Sequence, residues 1–99
     1  MRVDLILAPE VEQDLSEAYG WYEEQRQGLG EEFLACVDAC LQSILRTPEL
    51  HAKVYQDYRR ALVRRFPFAV FYETVDHTVT VYSVLHTSRD PSKWRKRLT

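Results

Sequence analysis

Residues 58–86 read YRRALVRRFPFAVFYETVDHTVTVYSVLH and contain three runs with the composition of strands. The runs 58–65, 66–74 and 78–85 are rich in the β-branched and aromatic residues that are typical of strands. Residues 75–77, between the last two runs, are few enough for a tight hairpin turn, although none of them is glycine. The stretch therefore predicts three antiparallel strands in one sheet.

The sequence before this stretch has the spacing of helices. One apolar stripe recurs at helical intervals from Val11 to Tyr22, and a second runs from Phe33 to Ile44. The segment QGLG at 27–30 separates the two stripes. This pattern predicts a helical hairpin.

The predicted order of elements defines a fold class. Val3, Leu5 and Leu7 alternate with other residues as in a short N-terminal strand, and Pro48 closes the second helix. An N-terminal strand, a two-helix hairpin, three antiparallel strands and a short basic C-terminal element follow one another. Helices segregated from hairpin-linked strands indicate an α+β fold in which the helices cover the sheet. We interpret residues 1–99 as a single domain, because a chain of this length buries only one core.

The composition also limits the compartments and cofactors that we expect. Met1 leads directly into Arg2 and Val3 without the apolar segment of a secretory signal, and no run approaches the ~18 apolar residues of a membrane span. We therefore expect a cytoplasmic protein without membrane contact. Cys36 and Cys40 are neighbours on one helix, which predicts two buried thiols in a reducing compartment. We expect neither metal nor cofactor, because ligand clusters and a glycine-rich phosphate loop are missing from the sequence.

Charge is distributed unevenly along the chain. Residues 1–57 contain four Lys or Arg and twelve Asp or Glu, a sum of −8, whereas residues 58–99 contain nine and three, a sum of +6. This asymmetry indicates one face that repels polyanions and another that is suited to nucleic acid or an acidic protein. An inert solvated surface with uneven charge has the same signature.

Several ordered motifs give the chain a resemblance to a known family. They are RRALVRRFPFAVFY at 59–72, VYSVLHTSRDP at 81–91 with Trp94-Arg95 after it, the aromatic pair Trp21-Tyr22, and Gly28-Leu29-Gly30 followed by Phe33. With these motifs the chain resembles the RelE/ParE superfamily of toxins from type II toxin–antitoxin systems, and the ParE-like branch in particular. The resemblance implies the fold derived above. It also implies a cognate antitoxin that neutralises the toxin in a hetero-oligomer.

The resemblance leaves three alternatives for function. ParE-like toxins are linked to inhibition of DNA gyrase, with growth arrest and plasmid stabilisation as outcomes. RelE-like toxins cleave mRNA on the ribosome with basic and aromatic side chains in place of a metal. A non-toxic relative that only binds an antitoxin is the third alternative.

Two positions favour the ParE-like alternative, in which the protein acts by binding and is not an enzyme. The position that matches an interferase arginine in the third strand is Ala69, which cannot contact a phosphate. A second basic position falls at Thr87 or, with a slip of two places, at Arg89. The catalytic candidates are thus an incomplete set: His86, Arg89 and Arg65. The alternative for His86 is a structural role, in which it caps the last strand and bonds a local carbonyl.

Candidates for binding an antitoxin or a target come from the basic and aromatic motifs. They are Arg60, Arg64, Arg65, Arg89, Lys93, Arg95, Trp21 and Tyr22. Alternation places Arg60 and Arg64 on one strand face, where such charges also serve to protect an edge strand. Trp94 is predicted to anchor the basic C-terminal element to the sheet. Trp21 and Tyr22 cannot both enter the core from adjacent helical positions, so one of them is expected to face a partner.

Overall fold

The computed structural model describes residues 3–88, 95, 96 and 98, and it confirms the predicted α+β fold. Its elements are β1 (Asp4–Leu7), α1 (Pro9–Gln25), α2 (Leu29–Arg46), β2 (Lys53–Tyr55), β3 (Tyr58–Leu62), β4 (Phe68–Val75) and β5 (Thr78–His86). Proline in the first turn begins α1. Gly28 precedes α2 with a φ of 90°, a left-handed conformation that glycine adopts without strain. In the part of the chain that the structure describes, no helix is long and apolar enough to cross a membrane.

The strands form one mixed five-stranded sheet in the order β1-β5-β4-β3-β2. β1 pairs with β5 in parallel, and the other neighbouring strands are antiparallel. One more strand follows the helices than the sequence pattern predicts, because β2 has only three residues and so shows little alternation. The predicted tight turn between β4 and β5 consists of Asp76 and His77, which have φ of 49° and 62°. Positive φ at both positions is the geometry of a type I′ hairpin, here formed without glycine.

The two faces of the sheet differ in what covers them. On one face, here called the helix side, Val70 and Tyr72 are buried against the helices. On the opposite face, here called the outer face, Ala69 and Phe71 form a second cluster on which Leu98 packs. Of two adjacent residues in a strand, one side chain therefore lies on the helix side and the other on the outer face.

Two side-chain hydrogen bonds fix the helices relative to the sheet. The carboxylate of Asp14 in α1 accepts a bond from the backbone N–H of Val84 at 3.0 Å, in the part of β5 that extends beyond β1. The hydroxyl of Tyr72 donates to the carbonyl oxygen of Pro48, after α2, at 2.6 Å. Burial raises the pKa of Tyr72 to about 12, so its hydroxyl keeps the donated proton at neutral pH. These bonds position α1 over β5 and the end of α2 beside β4.

Both cysteines are free thiols, and the expectation that they are buried is wrong. Cys36 and Cys40 are half-buried, because they lie on the side of α2 that borders β3 and not in the centre of the core. The thiol of Cys40 donates to the carbonyl oxygen of Leu62 at 3.7 Å. Burial raises the pKa of Cys40 to about 11, so this thiol is protonated at neutral pH.

Candidate binding surfaces

The predicted site residues lie in three separate places. These are an apolar pocket (Trp21, Tyr22 and His86), the outer face (Arg60 and Arg95) and a cleft beside α2 (Arg64 and Arg65). Arg89 and Lys93 lie outside the described residues, as does Trp94. No single site thus collects the candidates that lie among the described residues.

The apolar pocket, here called the Trp21 pocket, has a volume of about 380 Å³. Its lining residues are Ala18, Trp21, Tyr22, Pro67, Phe68 and His86. Trp21 is 57% exposed whereas Tyr22 is only 8% exposed, and their rings meet edge to face with centroids 5.0 Å apart. The prediction that only one of these two aromatics enters the core is confirmed. Tyr22 is a core residue, so it contributes to the site only as part of the pocket wall.

This wall is rigid because Tyr22 packs within an aromatic cluster. Its ring centroid lies 5.3 Å from that of Phe33 and 4.9 Å from that of Phe66. Phe33 in turn lies 4.9 Å from Phe68. Aromatic pairs at such distances stabilise the fold beyond the area that they bury. The Trp21 pocket is therefore a preformed apolar recess with an exposed indole at its rim, which suits an apolar anchor side chain.

The imidazole of His86 is held at the edge of the Trp21 pocket. Its Nδ1 accepts a hydrogen bond from the backbone N–H of Ser88 at 3.0 Å, and the hydroxyl of Ser88 lies 2.7 Å from the same nitrogen. Its ring packs edge to face on Phe68 at 5.3 Å. Because the backbone N–H can only donate, the neutral ring carries its proton on Nε2. The lone pair that a general base would use is thus already engaged in a local turn.

The described catalytic candidates are not brought together. Arg65 donates from Nη2 to Oε1 of Glu32 at 3.0 Å, and the same carboxylate accepts from Arg26 at 2.8 Å through Oε2. Hydrogen bonds from Arg65 and then Arg26 lower the pKa of Glu32, which keeps this carboxylate charged. Arg65 is therefore held by α2, whereas His86 is held by the turn after β5.

The outer face carries a tyrosine cluster that sequence reasoning missed. Tyr55 and Tyr58 stack with centroids 6.4 Å apart, and Tyr58 meets Tyr82 edge to face at 5.3 Å. The guanidinium of Arg95 lies 5.5 Å from the ring centroid of Tyr55. Alternation along β3 indicates that Tyr58 and Arg60 share a face, so part of this signal was present in the sequence. The approach of Tyr82 depends on strand pairing and could not be read from local spacing.

Ala69 lies on this outer face but not at its surface. It is 1% exposed and packs with Phe71, Leu85 and Leu98. Arg60 is paired with Phe71 across β3 and β4, so its side chain is on the same face as Ala69. The outer face thus presents aromatic rings and a cation to a ligand, whereas Ala69 is covered by packed apolar side chains.

The third place is a cleft of about 550 Å³ between α2 and the end of β3, here called the arginine cleft. Its lining residues are Cys36, Ala39, Cys40, Ser43, Arg46, His51, Leu62, Arg64 and Arg65. The prediction that Arg60 and Arg64 share a strand face is wrong, because β3 ends at Leu62 and the chain turns at Arg65, where φ is 72°. Arg64 therefore faces the cleft with Arg46 and Arg65. Within the described residues, no group of three His, Cys, Asp or Glu side chains is placed to hold a metal ion.

A match to a family model defines the class of protein, a member of the RelE/ParE superfamily of toxins, as predicted. Residues 5–91 match the family model described as the ParE toxin of the type II toxin–antitoxin system parDE. The chain belongs to this ParE toxin family. No curated protein sequence matches the chain significantly.

Solved structures with the same fold include proteins from three bacteria. The chromosomal ParDE system of P. aeruginosa is 13% identical with a TM-score of 0.64, covering 85% of this chain and 95% of that chain. The isolated E. coli RelE toxin is 17% identical with a TM-score of 0.60, covering 98% and 99%. The YoeB-YefM complex of Staphylococcus aureus is 16% identical with a TM-score of 0.59, covering 87% and 98%. At these identities the likeness shows a shared fold.

Proposed function

We propose that this protein is a ParE-like toxin that acts by binding a cytoplasmic target, with DNA gyrase as the target expected of its family. The observation that carries the proposal is the dispersal of the groups that RNA cleavage would need. His86 is bonded to Ser88 beside the helices, and the position expected to hold a cation is the buried Ala69. Removal of one preorganised transition-state contact lowers a rate by about a hundredfold or more. Binding without chemistry requires none of these groups to converge.

The proposal includes neutralisation by an antitoxin that docks at the Trp21 pocket. An amphipathic helix presents apolar side chains at intervals of three or four residues, and such anchors fill preformed recesses of this kind. The exposed indole of Trp21 and the edge of Phe68 supply the apolar contact. Toxin–antitoxin complexes are found among the solved structures that share the fold, in P. aeruginosa and in Staphylococcus aureus.

A second candidate function has one observation in its favour. Tyr55, Tyr58 and Tyr82 lie together on the outer face, with Arg60 on the same face. Aromatic rings beside a cation form a surface on which unpaired RNA bases stack. A RelE-like mRNA endonuclease would use such a surface, although a surface that binds RNA needs further groups in order to cleave it.

One experiment separates the candidates. The chain is expressed from a controlled promoter with and without the neighbouring open reading frame, and the purified protein is tested for inhibition of gyrase supercoiling and for cleavage of a translated message. We expect growth arrest that the neighbour relieves, inhibition of supercoiling and an intact message. Message cleavage with normal supercoiling would promote the endonuclease. Normal growth together with a stable complex would indicate the non-toxic relative.

A further inference from the structure

The arginine cleft lies apart from the Trp21 pocket, and its lining is strongly biased in charge. Arg46, Arg64 and Arg65 line it, and none of the described residues that line it is acidic. Arg65 is bonded to Glu32, whereas neither Arg46 nor Arg64 has an ion-pair partner among the described residues. The exposed guanidinium groups of Arg46 and Arg64 in one cleft favour an anionic ligand, because Arg presents several donors in a fixed plane.

The floor of the cleft is only partly polar. Ala39 and the half-buried thiols of Cys36 and Cys40 contribute small side chains, which leave open space between α2 and β3. Nε2 of His51 is buried at the cleft and has no hydrogen-bond partner within the described part of the chain. Because this nitrogen has no accessible surface, a ligand in the cleft meets the arginines and not Nε2 of His51. The lining thus combines three arginines with small side chains on α2.

The surroundings of the cleft argue against a long polyanion as its ligand. α1 carries six acidic residues and no basic residue: Glu10, Glu12, Asp14, Glu17, Glu23 and Glu24. α2 adds Glu31, Glu32 and Asp38. A nucleic acid strand that ran along the helices would meet these carboxylates, and like charges repel. A protein segment with two or three carboxylates and apolar residues between them reaches the arginines without a continuous run of negative charge.

We infer that the arginine cleft binds an acidic, apolar-containing segment of the antitoxin, with carboxylates on Arg46 and Arg64 and an apolar side chain over Ala39. The inference rests on the proposed function in naming the antitoxin as the partner. The cleft lies on the β3 side of α2, whereas the Trp21 pocket lies between α1 and β5, so the two contacts require a partner that extends across the helical hairpin. Two separate contacts on one chain raise affinity through effective concentration.

The test uses the isolated toxin and defined probes. Backbone amide resonances are followed while a short synthetic peptide of alternating Glu and Leu, its Gln-for-Glu counterpart, or a single-stranded DNA oligonucleotide is added. We expect the acidic peptide to shift the amides of Ala39, Ser43 and Leu62, and the neutral peptide to bind about tenfold more weakly, since charge-assisted hydrogen bonds to arginine are lost. The affinity for the acidic peptide is expected to fall as salt is raised, while that for the neutral peptide changes little.

Charge reversal supplies the matched comparison. Arg46→Glu with Arg64→Glu is expected to abolish the amide shifts, whereas Lys53→Glu, which changes an exposed cation on β2, leaves the affinity within about twofold. If the double variant fails to fold, the salt dependence of the unaltered chain decides the question. Equal binding of the neutral peptide at the cleft amides, or an absence of shifts at those amides, would overturn the inference. Tighter binding of the oligonucleotide at the same amides would overturn it in favour of a phosphate-binding surface. All these readouts are independent of gyrase and of growth arrest, so the inference and the proposed function fail separately.

Discussion

Ala69 and His86 lie on opposite faces of the sheet although their cross-strand pairs are adjacent. Ala69 pairs with Leu85, and the neighbouring Phe68 pairs with His86. Ala69 packs in the outer cluster, whereas the His86 ring packs on Phe68, which contacts the helix-side core. A proton acceptor must come within about 3 Å of the group that it deprotonates. The imidazole thus lies on the helix side, whereas a group beside position 69 lies on the outer face.

The first prediction follows from this separation. Primer extension on a translated message should show no codon-positioned cuts with the wild-type protein, and His86→Ala should give the same pattern. Ala69→Arg places a long side chain where Leu98 packs, and we expect a loss of roughly 1–3 kcal/mol in the free energy of unfolding. Cuts by the wild type that vanish in His86→Ala would contradict the proposal. Cuts that appear only in Ala69→Arg would instead support the proposal, because they would show that the wild-type protein lacks one cation needed for cleavage.

The second prediction concerns the rim of the Trp21 pocket. Trp21→Ala should weaken the complex with the antitoxin by about 2 kcal/mol, a factor of about 30 in Kd, since exposed tryptophans beside a recess are common binding hot spots. The free energy of unfolding should fall by only about 1 kcal/mol or less, because Trp21 makes one edge-to-face contact with Tyr22. Leu50→Ala is the control: Leu50 is 74% exposed and lies outside the pocket. Titration calorimetry measures the affinity of each variant for the antitoxin. Equal losses of affinity in Trp21→Ala and Leu50→Ala would mean that the pocket is not the docking site.

The third prediction tests how closely the helices approach each other. A Cβ atom on Gly30 would lie 2.7 Å from Cδ2 of Tyr19 and 2.8 Å from Cγ of Glu23. The N–H of Gly30 also donates to Glu23 at 3.0 Å, so Glu23 cannot move freely aside. We expect Gly30→Ala to lower the free energy of unfolding by about 1–3 kcal/mol in urea denaturation.

A second glycine provides the control for this measurement. Gly20 lies within α1, and a Cβ atom there would meet nothing within 4 Å. Gly20→Ala should therefore stabilise the protein by about 0.5–1 kcal/mol, because alanine loses less conformational entropy in a helix. Destabilisation of similar size in both variants would show that helix propensity, and not the contact with Tyr19, determines the effect.

Local periodicity predicted the elements well and their assembly poorly. The two helices and the β4–β5 hairpin depend on spacing within one segment, which the sequence displays directly. The parallel pairing of β1 with β5 and the position of Arg64 in a cleft against α2 depend on contacts between distant segments. Trp21 could be predicted as a binding residue, because the geometry of adjacent helical positions indicated it. Tyr82 could not be predicted, because its cluster forms only when β5 and β3 flank β4.

The last prediction concerns Tyr72 at high pH. Its side chain is fully buried, and its hydroxyl donates to the carbonyl oxygen of Pro48 at 2.6 Å. Tyr72→Phe leaves that carbonyl without its partner and should lower the free energy of unfolding at pH 7 by about 1 kcal/mol. Tyr58→Phe removes the hydroxyl of a half-buried tyrosine on the outer face and should change the same free energy by less than about 0.5 kcal/mol.

The pH dependence of this pair of variants gives the sharper test. Burial raises the pKa of Tyr72 to about 12 in the folded protein, whereas a tyrosine in an unfolded chain has a pKa of about 10. From pH 10 to 12 the unfolded chain therefore binds fewer protons than the folded protein at this residue, and stability falls as pH rises through that window. Tyr72→Phe has no proton to lose there, so its urea midpoint should fall less steeply than that of the wild type or of Tyr58→Phe. Parallel curves for all three proteins would mean that Tyr72 titrates alike in the folded and unfolded chains, and that its burial against the helices is less complete than the fold indicates.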